Sequence, residues 1–417
     1  MSTWLLSGMR TPFVRVDGPF KNLDAIALSV PIAQAMAAQV QGKIDFGVWG
    51  TVIPNLTYSN IAREIWLDAK LDPHVPTFST VMACATSMIG TFEAAGLLQG
   101  KERALAMVGG VEAMSRVQIG LGQKLSDGFR RVSQARTLGS RFKRLAEIAP
   151  HDVKLYVPEV KNRTTGKSMG QHCEETAKVW KIARADEDAR ALLSHQGALA
   201  GQASGFFKDL ILPINGADKD AFPRADSSLD KLAKLKPVFD RENGTITAGN
   251  SSPLTDGAAA LWVANDEGMG RLPESLPRAK LVDYEVASVD IDRDGLLMAP
   301  AFAIPRLLAR HGLKYADIAL LEIHEAFSAQ VLYHLKALDD AQFVRERAGV
   351  TADLGKVPVE RINPNGGSVA LGHPFGATGA RILSQAVKEL AAMPKGSRAI
   401  VSICADGGLG TVALLEV

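Results

Sequence analysis

The stretch Arg361–Arg381 constrains this chain more than any other. It holds five glycines (Gly366, Gly367, Gly372, Gly376, Gly379) and the steps Asn363-Pro364 and His373-Pro374. Glycine and X-Pro steps force turns, and glycine lets backbone approach a ligand closely. Apolar residues at helical spacing follow at once: Ala380, Ile382, Leu383, Ala386, Val387 and Leu390. The pattern predicts a shaped loop feeding a helix N-terminus, with His373 held inside the loop. A helix start offers free N–H groups and partial positive charge, which suits an acyl oxygen or a thiolate. A tight structural loop with a surface histidine is the plain alternative. It loses weight once a partner thiol is found elsewhere in the chain.

Cys84 supplies that thiol. Pro76–Met82 reads as a strand running into Ala83-Cys84, and Thr86–Gln99 as the helix that follows, closed by Gly100. A cysteine between strand and helix is expected to have a lowered pKa, from the helix dipole and a nearby imidazole, and so to be a thiolate nucleophile. A buried inert cysteine is the commoner fate of an isolated one. With only three cysteines (Cys84, Cys173, Cys404) in 417 residues, there is no disulfide framework and no metal-ligand spacing. The odd count fits a reducing compartment. No signal pattern or membrane-length apolar run is found, so a cytoplasmic protein is expected. A net charge of +2 gives no global signal for nucleic acid, and no phosphate-binding or dinucleotide-binding glycine motif occurs.

The remaining pattern alternates strand and helix. Trp4–Met9, Phe46–Val52 and Ala104–Val108 read as strands, with Gly109-Gly110 turning the chain after the last. Leu23–Val40 and Asn60–Ala69 read as helices, the first kinked or split at Pro31. The end of the chain repeats this order: helix Gly379–Ala391, strand Ala399–Ile403, Gly407-Gly408, strand Thr411–Glu416. Gly100-Lys101, strand, Gly109-Gly110 is the earlier copy. The alternation predicts an α/β protein with a mostly parallel sheet covered by helices. Between the copies, residues 116–167 carry twelve Lys or Arg against four acids, a local balance of +8. That segment is either a solvated insertion or a polyanion site: the phosphates of a ligand, an acidic membrane surface or a partner subunit.

Four motifs in order carry a family resemblance: Ala83-Cys84-Ala85-Thr86-Ser87, His324-Glu325-Ala326-Phe327, Asn363–Gly367 with Gly372–Gly379, and Cys404-Ala405-Asp406-Gly407-Gly408. Together they resemble the thiolases over essentially the whole chain. The resemblance implies two similar βαβ-type halves in an α-β-α-β-α layered sandwich with an inserted loop domain. The expected divisions are 1–115 (completed by 245–270), a coenzyme A-binding loop domain at 116–244, and 271–417. It implies Cys84 as nucleophile, His373 as its base, and Cys404, with a thiol pKa near neutral, as the second acid/base. His324, where many thiolases have Asn, would stabilise an enolate oxygen. This His and the insert Ser328–Glu360 resemble the beta subunits of multifunctional fatty-acid oxidation complexes. Backbone N–H groups of Cys84 and Asp406 would form a second oxyanion hole.

The same resemblance places Ala248, Gly249 and Ser252 against the pantetheine arm, with Met169, Met298 and Phe327 near the substrate. Three residues depart from the family pattern. Asp406 stands where a small residue is usual, and a carboxylate there would raise nearby thiol pKa values. Ser168 and Ala299 stand where relatives carry His and Gly, and Ala299 could narrow the acyl pocket. Coenzyme A is expected as substrate and no cofactor is expected to be bound. Expected partners are a second copy (a dimer or dimer of dimers), pairing through an apolar sheet edge near residues 80–115, and a hydratase/3-hydroxyacyl-CoA dehydrogenase subunit. The implied reaction is thiolysis of 3-ketoacyl-CoA through an S-acyl cysteine. Two alternatives are a decarboxylating ketoacyl synthase, against which Cys404 argues, and a non-catalytic acyl-CoA- or lipid-binding relative, which only Asp406 favours.

Overall fold

A computed structural model describes residues 2–100 and 102–417, so Lys101 in the expected Gly100-Lys101 turn lies outside them. In the first half the strands are β1 (Trp4–Leu6), β2 (Val14–Arg15), β3 (Phe46–Gly50), β4 (Thr77–Phe78) and β5 (Leu105–Glu112). The insertion contributes the short pair β6 (Gly120–Leu121) and β7 (Leu155–Tyr156). Then come β8 (Thr255–Ala264), β9 (Arg278–Ser288), β10 (Leu320–Ile323), β11 (Arg398–Ala405) and β12 (Leu409–Glu416).

The duplication is visible in the pairing. In one half β3 runs parallel to β5, which pairs antiparallel with β8. In the other, β10 runs parallel to β11, which pairs antiparallel with β12. The sheet is therefore mixed, not mostly parallel as alternation alone predicts. Gly407 and Gly408, at φ +88° and +74°, turn β11 straight back into β12, and a hairpin is necessarily antiparallel. Between β5 and β8 the inserted segment takes the place of that hairpin. The copies meet where β1 pairs antiparallel with both β8 and β9, which joins all the large strands into one hydrogen-bonded path.

Side-chain alternation sorts the core into three apolar layers. Along β8, Ala259, Leu261 and Val263 face a central layer, while Ala258, Ala260, Trp262 and Ala264 face the layer of the Ala25–Ala37 and Ile61–Asp68 helices. Along β12, Ala413 and Leu415 face the centre, while Val412 and Leu414 face the layer of the Ala299–Arg310 and Ser328–Asp339 helices. The helices Thr86–Leu97 and Thr378–Ala391, one from each half, fill the centre. This is the α-β-α-β-α arrangement.

Three local expectations change. Asp24 caps the first helix by accepting from the Ala27 N–H at 2.8 Å, and Ala25–Ala37 continues through Pro31 as a single helix. Gly109-Gly110 does not turn the chain: both lie inside β5. They are small because the Trp49 ring lies over Gly109 and the Gly376 carbonyl lies against Gly110, where a Cβ would come within 1.9 Å of that oxygen. Strand β5 is wholly buried between β3 and β8, so of the edge expected near residues 80–115 only the stretch that follows β4, with Val81 exposed, lies at the margin of the sheet. The sheet ends at β4.

The basic insertion folds as two helices, Gln123–Gln134 and Leu138–Ala146, packed on each other. Leu138 and Phe142 on the second are 72% and 70% exposed, among the segment's cations. No described helix is long and apolar enough to cross a membrane.

Candidate active site

Cys84 sits at the start of the Thr86–Leu97 helix, as expected, but the strand before it is short. Only Thr77–Phe78 pairs; after that the chain twists, and Ala83 takes φ +43°. A left-handed non-glycine residue is strained and is held only by its surroundings. Thr86 provides them: its hydroxyl donates to the Ala83 carbonyl at 2.7 Å and accepts from the Met82 N–H at 2.9 Å. The kink leaves Cys84 partly exposed, opposite the other half of the molecule.

His373 approaches from that half. Its Nε2 lies 3.1 Å from the Cys84 sulfur. Its loop is pinned at two points and shaped by a glycine turn. The His373 N–H donates to the Thr255 hydroxyl at 3.0 Å, and the Gly376 N–H donates to the Glu112 carboxylate at 3.0 Å. Gly372, at φ +100°, makes the turn into the histidine. Glu112 also accepts from Thr51 and from the Val52 and Ile53 N–H groups. Sequence reasoning missed it; its one signal is an acid at the end of an otherwise apolar strand.

The Thr378 hydroxyl fixes the ring of His373. It donates to the Pro374 carbonyl at 3.3 Å and lies 2.7 Å from His373 Nδ1. When that hydroxyl proton serves the carbonyl, Nδ1 carries the imidazole proton and donates to Thr378, and Nε2 is a bare acceptor 3.1 Å from the thiol, the tautomer that lets His373 take the thiol proton. Burial pulls His373 down to about 3, helped by the charge of Arg381, so the ring is neutral throughout the physiological range.

The thiol departs from expectation. Burial pushes Cys84 up to about 12, and the Asp406 carboxylate adds to the rise. The N–H groups of Cys84 and Asp406 are turned toward the sulfur and pull the other way, without prevailing. Cys84 and His373 therefore form a neutral thiol–imidazole pair, not the thiolate inferred from helix position. Cys404 is buried at the end of β11, and burial followed by the proximity of Cys84 raises it well above an ordinary thiol, not toward neutrality. It is a protonated group, ready to give a proton.

Asp406 turns its carboxylate onto Asn162 Nδ2 at 2.8 Å and its neighbour Gly407 N–H at 2.7 Å. Its N–H remains directed at Cys84. The departure from a small residue thus ties the insertion to the active-site strand, while its charge still reaches the thiol.

His324 follows β10 and is fully buried. Its ring centroid is 4.2 Å from that of His373. Nδ1 lies 2.9 Å from the Ser368 hydroxyl, and Nε2 has no partner among the described residues. Burial, then the neighbouring His373 and Arg381, drives its pKa well below the usual value. The adjacent Glu325 is structural. Burial alone would raise its pKa, but Arg190 at 2.7 Å, Ser194 at 2.6 Å and Asn363 at 2.8 Å reverse the shift. Asn363, at φ +49°, in turn bonds the backbone of Ile323 and extends the strand edge ahead of His324.

The ligand atoms of Cys84, His324 and His373 lie within 4.8 Å of one another. Such a set could in principle take a soft divalent cation. Here the thiol is protonated and the His373 lone pair faces it, an arrangement made for proton transfer. The segment proposed for the pantetheine arm lies beside these groups. Leu254 bridges to His373, Ser251 bridges to Phe327, and the Ser252 N–H donates to the Ala326 carbonyl at 3.0 Å. Ala248 is exposed and Gly249 packs on Leu232 and Leu235. Phe327 meets the Phe239 ring edge-on at 5.8 Å, Met298 is fully buried, and Met169 is partly buried against the same core. Ser168 caps the Met169–Val179 helix, and Ala299 packs on Gly410. Cys173, His172, His195 and His334 are buried packing residues.

Residues 3–267 match the family description "Thiolase, N-terminal domain" and residues 275–417 match "Thiolase, C-terminal domain". The chain belongs to the thiolase family. This thiolase is 35% identical over 422 residues to a 3-ketoacyl-CoA thiolase of Vibrio cholerae, covering 99% of this chain and 96% of the other. It is 36% identical over 421 residues to one from Pectobacterium carotovorum, with the same coverage. Human mitochondrial 3-ketoacyl-CoA thiolase superposes with a TM-score of 0.81 at 26% identity, covering 100% of this chain and 98% of that one. A thiolase from Ascaris suum solved in complex with coenzyme A gives 0.79 at 27% identity, covering 100% of both. As a thiolase, the protein is an acyltransferase.

Proposed function

We propose that this thiolase cleaves 3-ketoacyl-CoA with coenzyme A to give acetyl-CoA and a shortened acyl-CoA, in fatty-acid β-oxidation. The observation that carries the reading is the 3.1 Å approach of His373 Nε2 to the Cys84 sulfur, with Cys404 close enough for its pKa to respond to Cys84. His373 takes the Cys84 proton as the sulfur attacks the 3-keto carbon. The N–H groups of Cys84 and Asp406 receive the oxyanion. The bond between C2 and C3 breaks, and its electron pair passes into the acetyl-CoA enolate, whose oxygen sits at His324. Cys404 protonates the enolate carbon. The resulting Cys404 thiolate takes the proton of incoming coenzyme A, which attacks the S-acyl Cys84. Cys84 leaves as thiolate and recovers its proton from His373, so every group returns to its starting state. Because S-acyl Cys84 is itself a thioester, transfer of its acyl group to coenzyme A exchanges one thioester for another and is nearly isoenergetic, which an ester intermediate would not allow.

The Asn162–Asp406 contact supports the insertion as part of the coenzyme A side of the site. A homodimer or dimer of dimers, and a hydratase/3-hydroxyacyl-CoA dehydrogenase partner, belong to the same reading. The test is coenzyme A-dependent cleavage of acetoacetyl-CoA and of a long-chain 3-ketoacyl-CoA by the purified protein. Activity is expected in the wild type and lost by roughly 10⁴-fold or more in Cys84→Ala, as when a covalent nucleophile is deleted. No cleavage by a folded protein that still binds acyl-CoA would favour the binding-protein reading. The ratio of the two rates reports chain-length preference.

A further inference from the structure

The two active-site histidines have opposite hydrogen-bonding duties, and residues outside the reacting set assign them. Consider the Ser368 hydroxyl. Arg381 Nη2 donates to it at 2.8 Å, and a guanidinium can only donate. Ser368 Oγ also lies 2.9 Å from His324 Nδ1. If Nδ1 carried the imidazole proton, the serine oxygen would accept twice and its own proton would have no acceptor. The bare Nε2 would also be unpaired. If Ser368 instead donates to Nδ1, the hydroxyl and Nδ1 are both satisfied, and only an Nε2–H is left over. Buried polar groups settle into the arrangement with fewest orphans. All three side chains are essentially inaccessible: Ser368 0%, His324 0% and Arg381 1% exposed.

We infer that Ser368, anchored by Arg381, is a positioning residue that holds His324 as the Nε2–H tautomer, a hydrogen-bond donor. Thr378 does the reverse for His373, leaving a bare Nε2 that accepts the Cys84 proton. One hydroxyl is anchored by a donor and the other by a carbonyl, and that difference makes one imidazole an acid-like donor and its neighbour a base. The unpartnered His324 Nε2–H then has a purpose: it awaits an anionic oxygen. The tautomer also removes the lone pair that a metal would need at His324.

The catalytic consequence rests on the thiolase reading; the tautomer does not, and the two are tested separately. In ¹⁵N-histidine-labelled wild-type protein, long-range ¹H–¹⁵N spectra, assigned with single His→Asn variants, should place the proton of His324 on Nε2 and that of His373 on Nδ1. A proton on His324 Nδ1, or an averaged pair of signals, overturns the inference whatever the activity. In Ser368→Ala, the His324 pattern should shift toward Nδ1–H or averaging. The kcat for cleavage should fall roughly 10²-fold, the scale of losing one oxyanion donor, with KM little changed. Alkylation of Cys84 by iodoacetamide should keep its wild-type rate, and Ser368→Thr should restore much of kcat. A proportionate loss of alkylation, or no change in kcat, would reduce Ser368 to a packing residue. Should Ser368→Ala not fold, the wild-type spectrum decides alone. Absence of wild-type cleavage with the expected spectrum would sink the activity and leave the tautomer assignment standing.

Discussion

Asp406 separates what this chain does from what its motifs alone imply. Its carboxylate raises the Cys84 pKa while its N–H lowers it, so one residue works in both directions on the same sulfur. Asp406→Asn keeps the N–H and the contact with Asn162 within reach, and removes only the charge. The Cys84 pKa should fall, and with it the barrier to forming thiolate. Iodoacetamide alkylation of Cys84 at pH 8 should therefore run several-fold faster than in the wild type, on the order of the one-unit effect of a single partly screened charge. In both proteins the rate should climb about tenfold per pH unit up to pH 9, because the thiol remains mostly protonated there. Equal rates in the two would mean that the carboxylate is fully screened. The motif cysteines and histidines were legible because each short pattern carries its own reactive residue. Their protonation states were not. Those depend on burial and on hydroxyls such as Thr378 and Ser368, which sequence spacing cannot weigh against one another.

At the scale of elements, the glycines show where local reading stops. Gly109-Gly110 has the look of a turn, and Gly407-Gly408 is one. The difference lies in what stands nearby: Gly110 faces the Gly376 carbonyl from the opposite half. Gly110→Ala should cost at least about 3 kcal/mol in urea unfolding, or yield no soluble protein, because backbone cannot move aside as a side chain can. Gly139, in the exposed Leu138–Ala146 helix, has nothing within 4 Å of the point where a methyl group would stand. Gly139→Ala should be neutral or stabilising by up to about 1 kcal/mol. Similar losses at both positions would refute the account of Gly110. Helices and strands were readable from their periodicity, including the paired copies. Strand direction was not, because alternation does not reveal that the 116–244 segment replaces a hairpin. Nor was the reach of Glu112 across to the His373 loop.

For the whole molecule, buried carboxyls and buried histidines act on the response to pH in opposite directions. Burial raises Glu187 to about 7, with the nearby acids Glu174 and Asp188 adding to it, and burial raises Glu389 to about 7 as well. A raised folded-state pKa means that the folded protein keeps protons the unfolded chain releases from about pH 4.5. Their contribution to stability is complete below that value and is lost as pH climbs through 7. Between about pH 5.5 and 8 these two carboxyls pull the urea midpoint down, while the buried neutral histidines His373, His324 and His334, with lowered pKa values, push it up as pH climbs past the ordinary imidazole value. Glu187→Gln removes one downward pull, so its midpoint should gain on that of the wild type as pH rises; a constant difference between the two would remove Glu187 from the explanation. The placement of Cys84 in one half, against His373 and Cys404 in the other, has a different consequence. Turnover is a gauge of alignment between two duplicated bodies, readable long before either body melts. A ligand spanning both thiols works as a clasp, adding its binding energy to the join rather than to either part. Such a ligand should therefore sharpen thermal unfolding into one event at a higher temperature, and in its absence the first sign of loosening should be a falling rate.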